Sequence, residues 1–522
     1  MPPGEDAVEG PVRRVVVVGG GSAGWIAACR LAAQARRSGS GVRVTLVEST
    51  NVATVGVGEG TWPTMRNTLA RIGITETDFI RSCDAAFKQG ARFVGWADGS
   101  PGDAYYHPLN PPVGATEIDL TPYWLHRSAT EDADFATWVD FQATLCEAGL
   151  APKTIVMPEY AGHANYAYHL DAGKFATLLR DHGVKILGVD HVLGDMVRPH
   201  MMDNGDIASI ELADGRRLPG DLFVDCTGFA ALLIGGVYDV PFRRCNDVLF
   251  ADRAIAMQVP YEGEDDDITC HTISTAQEAG WIWDIGLWTR RGVGHVYSSA
   301  HTSDDAAEAA LRRYVGPRAE GLSVRRIGID AGHRDRFWQN NCVAVGLSAG
   351  FIEPLEASAL MLIEASMDAI VDRLPRTRSA MDVVARQFND TFRHHWQRII
   401  EFLKLHYVIT QRTDTAFWRD NAAASSIPDG LRERLDLWRH HSPAPQDFDH
   451  AREVFSWPSY QYVLHGMRFA SHHPRIDAAS PDAAMAGRFV ARNDRARADL
   501  LQRAPRHRDL LRAVREHGLQ LV

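Results

Sequence analysis

The sequence contains no Cys-x-x-Cys pair, no excess of positive charge and no apolar run long enough to span a bilayer. Its seven cysteines are dispersed, at Cys29, Cys83, Cys146, Cys226, Cys245, Cys270 and Cys342. This spacing disfavours a zinc site and a disulfide framework, and it favours a reducing compartment. The formal net charge of −11 argues against a general nucleic-acid binder.

The first residues also lack the basic region and the apolar core of a signal peptide. We therefore expect a cytoplasmic protein that binds no nucleic acid, no membrane and no metal ion. No internal repeat or low-complexity linker interrupts the sequence, and 45% of its 522 residues are hydrophobic. A chain of this length and composition can bury a large core.

A dinucleotide-binding motif lies near the start of the chain. An apolar run is followed by Gly19-Gly20-Gly21-Ser22-Ala23-Gly24 and then by a helical pattern. This is Gly-x-Gly-x-x-Gly in its proper context, where the glycines permit a tight turn and the close approach of a pyrophosphate. A second apolar run ends at Glu48, about where an acidic residue binds a ribose hydroxyl. The motif alone does not separate NAD from FAD.

The next segments carry candidate residues in less specific patterns. Residues 55–63, which include Gly58, are too rich in glycine for a helix and predict a strap over a cofactor. Residues 64–87 read as helical, and Lys88 follows them. A lone lysine is usually a solvated surface charge. The aromatic segment around His107 either lines a pocket or covers a core.

The middle of the chain predicts a second part of the sheet. One strand ends in Asp225-Cys226-Thr227-Gly228, which places a second element close to the nucleotide. With the antiparallel strands predicted before it, this element favours a two-part FAD-binding sheet over a simple NAD-binding domain. Trp281 and Trp283 share one face of a later strand, and a paired core contact is the plain interpretation.

The sequence after residue 372 reads as mainly helical. We expect residues 1–372 to form an FAD-binding box, with a substrate-lining insertion at about 100–165. We expect residues 373–522 to form a helical cap that packs on the box as one structural unit. Near the end, the arginines between 488 and 515 predict the solvated face of a terminal helix, and the acidic run at 262–267 predicts an exposed turn.

Residues 344–360 combine a strand end, a glycine-rich turn, two glutamates and a helix start. Gly346 and Gly350 permit close backbone approach, and Pro354 suits the beginning of a helix. Free backbone N–H groups at such a helix start can hold an anion near Ser358 and Ala359. The alternative is an ordinary strand-turn-helix crossover.

Taken together, these motifs resemble those of the flavin-dependent tryptophan halogenases, from Arg13 to about Phe469. The resemblance is specific because unrelated motifs occur in the right order. They are Gly19-x-Gly21-x-x-Gly24, Gly56-Val-Gly-Glu-Gly-Thr-Trp-Pro63, Phe87-Lys88, His107-Pro108, Tyr168-His-x-Asp171, Asp225-Cys-Thr-Gly-Phe229, Trp281-x-Trp283-x-Ile285, Gly350-Phe-Ile-Glu-Pro-Leu-Glu356, Phe402-x-x-Leu-His-Tyr407 and Phe417-Trp418.

The resemblance implies an α/β fold of the flavoprotein monooxygenase type, with a Rossmann-type sheet, an antiparallel sheet and a helical substrate-binding cap. It implies FAD used as FADH2, a separate NAD(P)H-dependent flavin reductase, oxygen, and chloride or bromide. Hypohalous acid made at the flavin would pass a tunnel lined by Trp281 and Trp283 and reach Lys88. Glu356 would polarise this oxidant or accept the ring proton, whereas Glu353 would be structural.

The same resemblance implies a cofactor site and a halide site. The cofactor residues carried over are Gly19, Gly21, Ser22, Ala23, Gly24, Glu48, Gly58, Asp225, Gly228, Gly346 and Gly350. The halide would bind the backbone of Ser358 and Ala359, although Ala359 departs mildly from the family pattern. The backbone donors do not depend on that side chain.

Departures from the family pattern are larger on the substrate side. The substrate-lining residues are expected to be His107, Leu109, Tyr460, Tyr462 and Phe469, and Leu109 stands where family members commonly have an aromatic. Residues 459–469 contain no acidic residue that could pair with the ammonium group of free tryptophan. An unpaired ammonium in a closed pocket is costly, so an indole-type or tryptophan-containing compound is expected rather than free tryptophan.

Two other functions fit the same motifs. One is a flavin-dependent aromatic hydroxylase of the same fold, since the Trp-x-Trp-x-Ile motif is followed by Gly286 instead of the family's proline. The other is a flavin-binding protein without chemistry of its own. The sequence leaves open the substrate, the ring position attacked, the preferred halide and whether the chain forms a homodimer.

Overall fold

The computed structural model describes residues 11–51, 58–128, 133–448, 453–473, 476–477 and 479–520. Its strands in chain order are β1 (Arg14–Val18), β2 (Arg43–Glu48), β3 (Glu59–Gly60), β4 (Ala86–Lys88), β5 (Gly90–Val94), β6 (Ala104–Pro108), β7 (Ala167–Leu170), β8 (Asp190–Leu193), β9 (Met196–Met201), β10 (Ile207–Leu212), β11 (Arg217–Pro219), β12 (Leu222–Asp225), β13 (Phe242–Arg244), β14 (Arg253–Pro260), β15 (Thr272–Gln277), β16 (Gly280–Gly286), β17 (Arg290–Tyr297), β18 (Val324–Gly328), β19 (Gly332–Arg334), β20 (Trp338–Gln339), β21 (Cys342–Ala344) and β22 (Gly350–Phe351).

The α-helices of the same residues are α1 (Ser22–Ser38), α2 (Thr64–Ile72), α3 (Glu76–Ser82), α4 (Thr121–Ser128), α5 (Phe135–Val139), α6 (Gln142–Glu147), α7 (Ala172–His182), α8 (Asp304–Val315), α9 (Ser358–Asp372), α10 (Arg378–Val408), α11 (Ala416–Asn421), α12 (Asp429–Trp438), α13 (Trp457–Gly466), α14 (Pro481–Arg503) and α15 (His507–His517). None of these helices is long and apolar enough to cross a membrane.

The first large sheet is built around β1 and has the order β20-β21-β12-β1-β2-β8. Strand β1 runs parallel to both of its neighbours, β2 and β12. Val15 and Val17 pack into the main core with α1, whereas Val16 and Val18 pack on the other side against β10. A strand covered on both faces requires the continuous apolar run that the sequence shows.

The second large sheet has the order β18-β14-β17-β16-β15-β5-β6 and is antiparallel except between β15 and β5. Trp281 and Trp283 lie on one face of β16, with ring centroids 6.5 Å apart. Gly294 on β17 is required beside them, because a Cβ there would lie 2.1 Å from the Trp283 ring. The two sheets form the two-part α/β architecture that the sequence predicts.

A small sheet of order β3-β7-β4 carries Lys88. The sequence prediction was wrong just before it, because residues 64–87 do not form one helix. Helix α2 ends where Gly73 takes a left-handed conformation (φ 83°), and α3 starts again after Thr75, whose side chain accepts a hydrogen bond from the Asp78 amide. Phe87 lies in β4. Residues 55–57 of the predicted strap lie outside the described residues.

The helices after residue 372 share the hydrophobic core of the sheets. The main cluster of buried residues includes Val17 of β1 and Trp281 of β16, and it also includes Phe402 of α10 and Leu464 of α13. Since these side chains pack in one cluster, the helical part covers the sheets rather than forming a separate core.

The last helix, α15, docks on the acidic turn at residues 262–267. Arg506 contacts Asp267 at 2.5 Å, Arg512 contacts Asp265 at 2.7 Å, and Arg508 donates to the Asp266 carbonyl. His507 accepts a hydrogen bond of 3.0 Å from the Phe87 amide, next to Lys88. These arginines therefore attach the helix to the acidic turn, where the sequence predicted only a solvated face.

Candidate active site

Lys88 is buried at the end of β4, with only 3% of the residue exposed. Its Nζ donates to the carbonyl oxygen of Thr61 at 3.4 Å. Burial lowers the pKa of Lys88 from 10.5 to about 8, although the nearby carboxylate of Glu356 opposes the shift. The amine is therefore close to the balance between its charged and neutral forms, which is unusual for a lysine.

Glu356 lies between two histidines from different elements. Its Oε1 is 2.7 Å from Nδ1 of His107 on β6 and 3.3 Å from Nε2 of His406 on α10. Burial alone would raise the pKa of Glu356, but the two histidines outweigh burial and hold the pKa well below its usual range. Glu356 is thus a carboxylate in a buried site.

One ring nitrogen of His406 carries a hydrogen that its partner fixes. Its Nδ1 is 3.0 Å from the carbonyl oxygen of Phe402, and a carbonyl only accepts, so Nδ1 carries a hydrogen. The other nitrogen, Nε2, faces Glu356. The distance of 3.3 Å between Nε2 and Oε1 places this ring nitrogen against the carboxylate.

The backbone at Glu356 and Ala357 has positive φ angles of 64° and 55°. Left-handed conformations cost a non-glycine residue roughly 1–2 kcal/mol each. They turn the chain from a 3-10 segment (Leu355–Ala357) into α9, and Nε1 of Trp62 donates to the Glu356 carbonyl at 2.8 Å. No side chain caps the N-terminus of α9, where Ser358 is buried and Ala359 is exposed.

Gly60 separates the lysine amine from this left-handed turn. A Cβ on Gly60 would lie 3.5 Å from Nζ of Lys88 and 3.3 Å from Cβ of Ala357. The β3 strand therefore brings backbone, without a side chain, between the two. The small space beside Lys88 is kept by a glycine that sequence reasoning quoted only as part of a motif.

The glycine-rich loop joins β1 to α1. A Cβ on Gly24 would lie 1.8 Å from the carbonyl oxygen of Gly19, and one on Gly19 (φ 116°) would lie 2.1 Å from the carbonyl oxygen of Cys226. Gly21 meets no atom within 4 Å and precedes α1 without a side-chain cap. Gly19 and Gly24 therefore pack against neighbouring backbone, whereas Gly21 leaves open space. A pyrophosphate-binding loop requires both features.

Comparisons with known proteins agree with this geometry. The family model described as tryptophan halogenase matches residues 14–481. The chain belongs to the tryptophan halogenase family. A solved tryptophan halogenase from Shewanella frigidimarina NCIMB 400 is 44% identical, with a TM-score of 0.95 over 98% of this chain and 99% of that chain. The chain is therefore a flavin-dependent halogenase, an enzyme that binds FAD.

Two further relatives of this halogenase carry more specific names. Tryptophan 6-halogenase SttH from Streptomyces toxytricini is 34% identical over 506 residues, which are 93% of this chain and 95% of that protein. The solved structure of MibH, described as a lanthipeptide tryptophan 5-halogenase, is 26% identical, with a TM-score of 0.80 over 98% of this chain and 95% of that chain.

The predicted cofactor residues around the β1–α1 loop leave room for a dinucleotide. Glu48 ends β2 beside the loop, and a Cβ on Gly20 would lie 2.3 Å from its carboxyl carbon. Oε2 of Glu48 is 2.8 Å from Nε2 of His191. Ser22 and Ala23 begin α1, so their amides belong to its uncapped first turn. Open space at Gly21 and an acidic group at the end of β2 are what the dinucleotide requires.

Other predicted cofactor residues support the loop from beneath. Both carboxylate oxygens of Asp225 accept hydrogen bonds from the chain itself: Thr227 bonds Oδ1, while the Leu233 and Ile234 amides bond Oδ2. A Cβ on Gly346 would lie 2.7 Å from Cβ of Ala23. Asp225 thus shapes a turn, and its predicted contact with the cofactor stays a prediction.

The remaining predicted cofactor glycines differ in their surroundings. A Cβ on Gly228 would meet no atom within 4 Å, so this position is open. Gly350 lies against β19, where a Cβ would be 2.6 Å from the Gly332 carbonyl oxygen. Gly58 (φ 89°) lies next to Ile285 of β16. Gly350 therefore has a packing reason for being glycine.

The predicted substrate residues of the halogenase divide into two groups. The Tyr462 ring lies 6.0 Å from the His107 ring, and its hydroxyl donates to the Asn110 carbonyl at 3.0 Å. The Leu109 amide donates to Gln142. Tyr460 packs 4.8 Å from Phe402, between α10 and α13. By contrast, Phe469 lies under Arg439 near the surface.

Glu353 differs from Glu356 in its partners. Its Oε2 accepts from the Tyr407 hydroxyl at 2.8 Å and from Nε1 of Trp281 at 3.2 Å. Burial raises the pKa of Glu353 to about 7, although these two donors oppose the shift. Glu353 therefore joins α10 to strand β16, in keeping with a structural role.

The sequence motifs include Phe402 and Trp62 but not Phe455, which connects them. Phe402 stacks on Phe455 with ring centroids 3.8 Å apart, and Phe455 lies 4.8 Å from Trp62. His406 was quoted in a motif but given no role. The signal that could have identified it is its spacing, since His406 follows Phe402 by one helical turn and shares its face of α10.

Proposed function

We propose that this halogenase uses reduced FAD, oxygen and chloride or bromide to halogenate an electron-rich, indole-type ring. A separate NAD(P)H-dependent reductase supplies the reduced flavin, and the protein works in the cytoplasm. When bound, reduced FAD supplies the electrons that convert oxygen and halide to hypohalous acid. The proposal rests on one observation, a buried lysine with a lowered pKa opposite a carboxylate fixed by two histidines.

Lys88 holds the oxidant in this proposal. In its charged form Nζ has three hydrogens, and the Thr61 carbonyl accepts one of them. The others can donate to the oxygen of hypohalous acid. Since a free hypohalous acid reacts in any orientation, holding it at one end of the pocket gives the reaction its direction. The uncapped start of α9 at Ser358 and Ala359 is the proposed halide site.

Glu356 accepts the proton that the ring loses. The ring carbon forms a bond to the halogen while the halogen–oxygen bond breaks, and the released hydroxide takes a proton from the Lys88 ammonium to become water. The ring then loses its proton to Glu356, and return of this proton to the Lys88 amine restores both groups. The products are the halogenated ring and water, so atoms and electrons balance. A carboxylate kept ionised inside an apolar pocket is suited to accept this proton.

The substrate side favours an indole compound or a tryptophan side chain within a peptide. Helix α13 presents Tyr460 and Tyr462, and the Tyr460 hydroxyl is buried without a partner among the described residues. Nearby carboxylates are already used: Asp119 accepts from Gln461 at 3.3 Å, and Asp140 accepts from Asn110 at 3.0 Å. Among the described residues near α13, these two carboxylates are therefore not free to pair with the ammonium group of free tryptophan.

The test of the mechanism is Lys88→Met, which keeps the length of the side chain without its charge. We expect loss of halogenated product in assays with reductase, NADH, FAD, bromide and indole, while FAD binding is retained. Lys185→Met is the matched control, because the Lys185 side chain is 71% exposed. Normal halogenation by Lys88→Met would show that the oxidant is not held there.

The test of the substrate class is product mass spectrometry with free tryptophan, indole and a tryptophan-containing peptide. We expect free tryptophan to be turned over least efficiently of the three. Efficient turnover of free tryptophan by the unmodified protein would contradict this part of the proposal.

A further inference from the structure

Two cysteines and a histidine that are far apart in the sequence converge in the fold. Cys146 ends α6 in the insertion, and Cys270 with His271 precedes β15. One ligand atom from each of the three residues lies within 4.8 Å of the others. All three residues are buried, with 4%, 0% and 6% of their surface exposed. Among the described residues, this is the cluster with metal-ligand chemistry.

The histidine nitrogen in this cluster lacks a partner. Nδ1 of His271 is buried and makes no hydrogen bond among the described residues. A buried nitrogen without a hydrogen-bond partner destabilises the folded chain. The Cys270 thiol is 3.9 Å from the carbonyl oxygen of Cys146, a long contact for a weak donor. The unpartnered His271 nitrogen beside two sulfur atoms therefore points to a missing ligand.

A metal ion accounts for this cluster better than a disulfide. A bond between Cys146 and Cys270 would use the two sulfur atoms and leave the His271 nitrogen unsatisfied. A metal ion would use all three groups. Around a tetrahedral zinc ion, with bonds of about 2.3 Å to sulfur and 2.0 Å to nitrogen, ligand atoms lie about 3.3–3.8 Å apart. A small inward movement of the three side chains would reach that spacing.

We infer that Cys146, Cys270 and His271 bind a zinc ion. Two thiolates and one neutral imidazole give an uncharged complex with Zn²⁺, which suits a buried site. The carbonyl oxygen of Cys146 is the nearest candidate for a fourth ligand, and water is the other. The sequence spacing argued against such a site, because no two cysteines stand in a Cys-x-x-Cys pair.

The zinc ion would fix the insertion to the strand that carries Lys88. The carbonyl oxygen of Cys270 accepts a hydrogen bond of 2.7 Å from the amide of Gln89, the residue after Lys88. Cys146 belongs to α6, and Gln142 of the same helix bonds the Leu109 amide beside His107. The ion would thus connect the strand segment next to Lys88 with the helix that holds the segment next to His107. It would not contact the substrate.

The first experiment measures zinc in the purified full-length protein after incubation with Zn²⁺ and removal of free metal. We expect about one zinc ion per chain, and less than a tenth of that in Cys270→Ser and in His271→Gln. Cys245→Ser is the matched control, since Cys245 is also buried but lies outside the cluster, and it should keep its zinc. Cobalt substitution should give the near-ultraviolet absorption of thiolate ligands.

A second measurement uses the unaltered protein, so its result does not depend on whether the variants fold. Removing zinc from the unaltered protein with a chelator should lower the midpoint of thermal unfolding, and adding Zn²⁺ back should restore it. An unaltered protein that takes up less than a tenth of a zinc ion per chain would overturn the inference. So would a loss of two titratable thiols, with a Cys146–Cys270 disulfide in the mass spectrum, in protein that was purified under reducing conditions and never treated with a chelator.

Discussion

Helices α1 and α9 both begin without a side-chain cap, but the residues before the two helices differ. Helix α1 follows a loop of glycines, in which Gly19 alone has a positive φ. Helix α9 follows Glu356 and Ala357, both left-handed although neither is glycine. Glycine at position 356 would remove the backbone strain, but it would also remove the carboxylate.

The two turns differ because they have different structural requirements. The α1 loop needs backbone close to backbone and to a ligand, so side chains are excluded from it. The α9 turn needs one side chain aimed at two histidines, so it accepts a strained backbone. Strain of this kind, held in place by surrounding contacts, is typical of functional sites. The following changes test whether the two turns behave as differently as this comparison requires.

The largest effect is expected for Gly24→Ala in the α1 loop. The added Cβ would lie 1.8 Å from the Gly19 carbonyl oxygen, so the loop cannot keep its conformation. We expect FAD binding, measured by absorbance of the bound flavin, to be lost. Gly21→Ala is the control, because its Cβ meets no atom within 4 Å, and its thermal unfolding should be unchanged.

The next largest effect is expected for Glu356→Gln at the α9 turn. The amide keeps the shape but cannot accept the ring proton, so kcat should fall by about 10²–10⁴-fold. FAD binding should be unaffected. Glu353→Gln is the matched control, because its partners Tyr407 and Trp281 are both donors that an amide oxygen still accepts. Equal losses in the two variants would remove the distinction between the two glutamates.

Lys88→Met is expected to stabilise the protein while abolishing its activity. The pKa of Lys88 falls from 10.5 to about 8 on folding, which corresponds to a cost of up to about 3 kcal/mol. The unfolded chain binds more protons between these pKa values, so this cost is fully present below pH 8 and disappears as pH rises through 10.5. Urea unfolding should show a gain for Lys88→Met that is larger at pH 7 than at pH 10.

The smallest effect is expected for Ala357→Gly. Glycine adopts the left-handed conformation without the Cβ penalty, so the free energy of unfolding should rise by about 1 kcal/mol or less. Ala365→Gly, in the middle of α9, should instead lower it by about 1 kcal/mol. If both substitutions destabilise equally, the strain assigned to this turn is absent.

Much of the fold could be predicted because its signals are local. The valine run of β1, the loop after it and the start of α1 lie within about 25 residues, and the family motifs extend the assignment to Lys88 and Glu356. The prediction of a helical region at 64–87 missed the break between α2 and α3, where Gly73 ends one helix and Thr75 caps the next. The turn-forming residues therefore end the first helix within the region that was predicted to be helical.

Contacts across long separations could not be predicted from the sequence. His107 and His406 meet at Glu356 only because the fold brings β6 and α10 to the turn before α9. In the same way, Cys146 and Cys270 are 124 residues apart, and no spacing rule connects them. The pKa values of the buried groups depend on these contacts, so the sequence alone could not predict them either.

The docking of α15 has a consequence for assay conditions. Its arginine–aspartate pairs with the turn at 262–267 are exposed, and salt weakens exposed pairs. Through His507, the same helix supports the backbone amide of Phe87, one residue before the reactive amine. Raising the ionic strength to supply more halide would therefore loosen a support of Lys88, so halide saturation curves need a constant ionic strength maintained with a non-halide salt.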